Sequence, residues 1–168
     1  MLPFISYNLI LNVEFAKETF ARLPKGVWKV FVRGDSAFFN GKFFDFLEAR
    51  GSLYLVKVRM KGLYNLLSSQ EWKKVRNNEG FEVTEFEYQC SDWKRPRRFV
   101  AVRELVGITY DELFPDVPKY EYRYFCYVTN DRQLTPWKAH KKYGKRSTSE
   151  NWIEWCKNQM AAGSVLTQ

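Results

Sequence analysis

A chain of 168 residues with 45% hydrophobic and 18% aromatic content is long enough for one domain with a buried core and too apolar to remain disordered. Its formal charge of +8 points to phosphate-bearing partners, since each neutralised phosphate releases condensed counterions, although a solvated basic surface is the plainer use of such a charge. Three widely spaced cysteines (Cys90, Cys126, Cys156) and a single histidine, His140, supply no ligand set for a zinc site and suit reduced thiols in the cytoplasm.

The N-terminal run MLPFISYNLILNVEF is apolar but lacks the basic leader and small-residue cleavage site of a signal peptide. Pro3, Asn8, Asn12 and Glu14 interrupt it, so no membrane span is expected, and it reads as a domain entered partway through. Glu14 to Leu23 is expected to be a short helix with Phe15, Phe20 and Leu23 inward, stopped by Pro24 and Gly26. Val27 to Arg33 has the β-branched, largely apolar texture of a buried central strand ending at Gly34-Asp35. Asn40 to Arg50 is a helix with Phe43, Phe44 and Leu47 on one face, ended by Gly51. Ser52 to Met60 is a second strand, so the three elements form a βαβ unit and part of the sheet is parallel.

A short helix is expected around Leu63 to Trp72, after which the texture changes. Phe81 to Gln89 and Arg98 to Val106 alternate as half-buried strands, and Glu121 to Asn130 is a strand dense in aromatics. The loops between them, marked by Pro and Gly, suit a β-rich insert or antiparallel extension over about residues 75–120. Trp137 to about Met160 is expected to be helical.

Two carboxylates invite a chemical reading. Asp35 sits just past the end of a strand, where α/β sheets place ligands, although Gly-Asp-Ser is also ordinary turn chemistry and Asp is a common helix cap. Glu150 closes an S-x-x-E capping box, Ser147 to Glu150, which on its own would only start a helix. If the helix instead runs continuously from Trp137, Tyr143, Arg146, Glu150 and Lys157 share one stripe, at ~100° per residue. Lys138, Lys141, Lys142, Lys145 and Arg146 crowd five cations ahead of Glu150, as a solvated face or as a DNA-backbone contact. Lys94 to Arg98 (KRPRR) is a second basic cluster, suited to gripping phosphate or to keeping a hairpin soluble. Trp93 beside it suits base stacking or packing.

Tyr143, Arg146, Glu150 and Lys157 match the pattern Y-x2-R-x3-E-x6-K, and the chain thereby resembles bacterial insertion-sequence transposases that carry a DDE triad. The local wording is similar to a branch with R-G-x-x-E-N-x-I-x-E-x-K: Asn151 and Ile153 fit, Ser147 replaces the glycine, and Trp155-Cys156 depart from it. RGDSAFF, from Arg33, resembles the second-aspartate motif of that group, and YFCYVTN, from Tyr124, its strand before the glutamate helix. The resemblance implies a ribonuclease H-like α/β fold, a mixed sheet flanked by helices, with a β-strand insert before the last catalytic helix. It implies that Asp35 and Glu150 are catalytic carboxylates holding Mg²⁺ (or Mn²⁺), and that Tyr143, Arg146 and Lys157 bind phosphates of transposon-end DNA, with Lys142 and Lys145 as further DNA contacts. The implied activity is cleavage at transposon ends and joining to target DNA, with a homodimer possible in the intact enzyme.

One departure stands out. Only Glu14 and Glu18 precede Asp35 among acidic residues, and both fall in a helix, so the first aspartate of the triad and the N-terminal core strands are missing. The expectation is a partial catalytic domain spanning residues 1–168, inactive alone, with an open sheet edge. Two other readings remain: a non-catalytic DNA-binding remnant that regulates transposition, and a basic RNA-binding αβ domain. The last requires Phe31 and Phe125 exposed on a sheet face.

Overall fold

The computed structural model describes residues 5–27 and 29–145, with side chains from residue 13 onward. Helix α1 (Ile5–Ala21) leads through a turn into strand β1 (Phe31–Gly34), a single 3-10 turn (Ser36–Phe38), helix α2 (Gly41–Ala49) and strand β2 (Leu53–Lys57). Helix α3 (Leu63–Ser68) and strands β3 (Lys73–Lys74), β4 (Phe81–Tyr88), β5 (Arg97–Asp111) and β6 (Phe114–Thr129) follow, and residues 136–145 form a last helix, α4. The strands make one six-stranded mixed sheet in the order β1-β2-β6-β5-β4-β3. Only β1 and β2 are parallel, joined by α2 as the βαβ reading requires; every other pairing is antiparallel.

Alternation along β2 assigns the two faces of the sheet. Tyr54 and Val56 enter the larger core with Phe43, Phe44 and Leu47 of α2 and with Phe99, Ala101, Cys126 and Val128. Leu55 points the other way, into a smaller core with Val100, Tyr127, Leu134 and Ala139 beneath α4. Helix α2 starts where expected because the Asn40 side chain accepts from the Lys42 amide at 2.8 Å, and Gly51 leaves it at φ +66°.

The sequence expectations fail at three places. Helix α1 begins at Ile5 rather than Glu14, and Phe15 is 63% exposed. Val13, Ala16 and Phe20 form the inward stripe, and Phe15 lies about 100° round the helix from Ala16. Strand β1 is not central: among the described residues it pairs only with β2, and it starts at Phe31 because residues 24–27 form a turn in which the Val27 amide reaches the Pro24 carbonyl. Finally, the segment expected to be loop before Glu121 is strand. Pro118 stands opposite Tyr110 within the β5–β6 hairpin, in a two-stranded stretch where no third strand needs its missing N–H.

Candidate active site and nucleic-acid interface

Gly34 lets the chain leave β1 against its neighbour, since a Cβ there would lie 3.1 Å from Phe38 Cβ and 3.2 Å from Val56 Cγ2. The next residue, Asp35, is half-buried, and its Oδ1 accepts from the Ala37 amide at 2.9 Å, capping the 3-10 turn. The turn reading of Gly-Asp-Ser is therefore realised.

Helix α4 reaches strand β1, just ahead of Asp35, from the opposite end of the chain. It begins after Thr135, whose carbonyl accepts from Ala139 at 2.8 Å, with Pro136 in the first turn where a missing N–H costs nothing. Trp137 packs 5.1 Å from Phe81, the Tyr143 ring lies 4.7 Å from Tyr127, and the Lys142 ammonium sits 3.2 Å above the Phe31 ring. The helix thus crosses the sheet from β4 to β1. There Arg33 Nη1 donates to the Lys142 carbonyl at 2.9 Å. Lys142 and Tyr143 are in this way brought to the strand that ends in Asp35. Gly144 does not break the helix, which continues to residue 145. Arg146, Glu150, Lys157 and the Ser147–Glu150 box lie outside the described residues.

His140 serves packing and polarity within α4. Its Nδ1 is 3.0 Å from the Tyr127 hydroxyl and its ring meets Phe125 at 4.6 Å. Burial holds its pKa below the ordinary 6.5, against an opposing pull from Glu104, and burial, with Tyr143 and Cys126, raises that of Tyr127.

Other sequence candidates acquire structural roles. Trp93 is buried against Phe39, Phe44 and Phe99, which corrects the base-stacking option. In the Lys94 to Arg98 cluster, Arg97 is buried against Asp45 (2.6 Å) and Glu48 (2.9 Å), Arg95 also pairs with Glu48, and Arg98 pairs with Glu85 and donates to the carbonyls of Asp131 and Leu134. These guanidiniums hold the fold together instead of presenting a phosphate grip. Phe31 and Phe125 are half-buried under Lys142 and His140, so the condition for the RNA-binding reading is not met.

Four basic residues escaped the sequence reading. Arg33 anchors α4, and Lys57 is exposed on the same sheet face as Leu55, the face that α4 covers, with Arg59 and Lys61 exposed just beyond it. The K-V-R-M-K alternation at the end of β2 was the available signal. Among the described residues no group of three or more His, Cys, Asp or Glu side chains could hold a metal ion, so Asp35 does not by itself make a metal site. No helix among them is long and apolar enough to cross a membrane.

A mixed α/β sheet flanked by helices, with a carboxylate at the end of a parallel strand and a basic helix laid beside it, is compatible with the ribonuclease H-like fold of DNA-processing DDE enzymes. The family model for transposase DDE domain group 1 matches residues 16–167, and the chain belongs to that family. No curated protein matches it. Membership brings a transposition-related function, DNA as the substrate class, and a family that generally uses divalent metal ions.

Proposed function

We propose that residues 1–168 are a partial catalytic domain of an insertion-sequence transposase with the Y-R-E-K signature, its β-rich insert spanning about residues 75–120. Asp35 and Glu150 would hold Mg²⁺ or Mn²⁺; when bound, a pair of such ions activates the attacking hydroxyl or water and stabilises the leaving oxygen. Tyr143, Arg146 and Lys157, helped by Lys142 and Lys145, position transposon-end phosphates and do no bond-breaking themselves. The site of action is the cytoplasm. The observation that carries this reading is the Arg33–Lys142 tie, which sets a basic helix of the expected sequence beside the strand that ends in Asp35.

Two carboxylates are one short of a triad, so these residues alone bind DNA without cutting it. This leaves room for a second reading, a DNA-binding regulator of transposition, which the net charge of +8 favours. The test pairs salt-dependent DNA binding, followed by fluorescence anisotropy, with Mn²⁺-dependent nicking of supercoiled plasmid. The expected result is binding that weakens with salt and with Lys142→Ala, is indifferent to Asp35→Asn and Glu150→Gln, and is accompanied by no nicking. Nicking by the unaltered chain, abolished by Asp35→Asn, would refute the incomplete-site reading. Absence of DNA binding would remove both.

A further inference from the structure

Strand β4 supports β5 only as far as the Phe81–Glu104 pair, and β2 meets β6 only at residues 127–129. Beyond that boundary the β5–β6 hairpin continues through the pairs Gly107–Glu121, Ile108–Tyr120 and Tyr110–Pro118, with no third strand on either side among the described residues. At ~3.3 Å per residue this arm projects roughly 20 Å from the sheet. An isolated two-stranded ribbon is only marginally stable in water, so its persistence calls for a surface to lie on.

The composition of the arm says what kind of surface. Of ten large hydrophobic side chains exposed among the described residues, seven are on it: Val106, Ile108, Tyr110, Leu113, Phe114, Val117 and Tyr120, with Leu113 at the tip 81% exposed. Opposed positions put Ile108 with Tyr120 and Tyr110 with Pro118 on one face, which Tyr122 and Tyr124 continue toward the core. Its charge is opposite to that of the rest of the chain. From Leu105 to Tyr122 there are four carboxylates (Asp111, Glu112, Asp116, Glu121) and one lysine (Lys119), a net charge of −3. The whole chain carries +8, so the remainder carries +11. An acidic, apolar arm is repelled by a phosphate backbone and attracted to a basic protein surface. Among the described residues, the basic helix α4 does not run along the arm: it extends from Phe81, near the root of the arm, away to Phe31 at the far edge of the sheet.

We propose that the arm is a dimerisation element whose acidic tip and apolar face dock on the basic body of a second copy of this chain. Because both copies carry the same arm and the same body, the exchange is reciprocal and closes as a two-fold dimer. The inference does not depend on the catalytic reading.

The test is sedimentation equilibrium of the whole 168-residue chain at low and high salt. It compares the unaltered chain with Ile108→Thr/Leu113→Ser/Phe114→Ser and with Asp111→Lys/Glu112→Lys/Asp116→Lys, thermal melting confirming that each variant folds. A dimer is expected that weakens with salt. Either variant should raise its dissociation constant by about tenfold or more, since exposed aromatic and aliphatic anchors dominate such contacts. A monomeric unaltered chain at about 100 µM, or a dimer indifferent to both variants, overturns the proposal. So does loss of DNA affinity in the apolar variant with the dimer intact, which would make the arm a DNA contact.

Discussion

Arg33 donates from Nη1 to the backbone carbonyl of Lys142 over 2.9 Å, joining two residues 109 positions apart. The acceptor belongs to the main chain, so the two partners respond differently to mutation. Arg33→Met removes a charge-assisted hydrogen bond and should cost ~1.5 kcal/mol. Lys142→Met keeps the carbonyl and loses only the ammonium over Phe31, for about 0.5–1 kcal/mol. Urea unfolding of the two variants measures the difference; equal losses would mean that the tie contributes little to docking the helix.

Arg97 should be the most sensitive of the described cations. Its side chain is 3% exposed, lies over the Phe44 and Trp93 rings, and holds Asp45 and Glu48. Arg97→Met should cost about 3 kcal/mol because the partly buried Asp45 and Glu48 lose the guanidinium they share, and Glu48→Gln in the same chain should recover part of the loss. Burial pushes the Glu48 carboxyl up, but bonds from Arg97, Tyr54 and Arg95 outweigh it and hold it below the ordinary 4.5. The folded state therefore binds fewer protons there than the unfolded one. The stability this contributes is full above about pH 4.5 and is lost as pH falls through the lowered folded value, a loss that acid titration of Glu48→Gln should not show.

Gly41 faces Trp93 so closely that a Cβ would lie 2.6 Å from Cδ1 of the indole. The indole is buried and cannot swing clear, so Gly41→Ala should destabilise by ~1–3 kcal/mol despite the better helix propensity of alanine. Adding Trp93→Leu should make the alanine nearly neutral, and denaturant midpoints would show whether it does.

His140, the only histidine, gives a second pH window. Burial depresses its folded pKa below 6.5, so between that value and 6.5 the unfolded chain takes up a proton that the folded chain refuses. Stability should fall as pH drops below about 6.5, and His140→Phe should flatten the profile there. A profile unchanged by the substitution would show that the imidazole is not held neutral by burial.

Local pattern was enough for much of this protein. The run of Phe43, Phe44 and Leu47 with Asn40 before and Gly51 after dictates α2, because apolar spacing, an N-cap and a left-handed glycine act within one or two turns. Strand, helix, strand at that spacing likewise dictated the parallel β1–β2 pair, and the alternation of Phe81 to Gln89 a half-buried strand. Pattern failed where the outcome depends on a distant neighbour. Whether β1 is central or at an edge depends on which strands exist to flank it; whether Phe15 or Ala16 faces inward depends on how closely α1 approaches α2. Whether the arginines of the Lys94 to Arg98 run meet phosphate or carboxylate depends on Asp45, Glu48 and Glu85, which the fold brings to them. Asp35 and the basic helix were both visible as motifs, but only the fold, through Arg33 and the Lys142 carbonyl, brought strand and helix together. Spacing along a chain encodes the period of an element, whereas ion pairs and packed aromatics form between residues that meet only after the sheet has assembled.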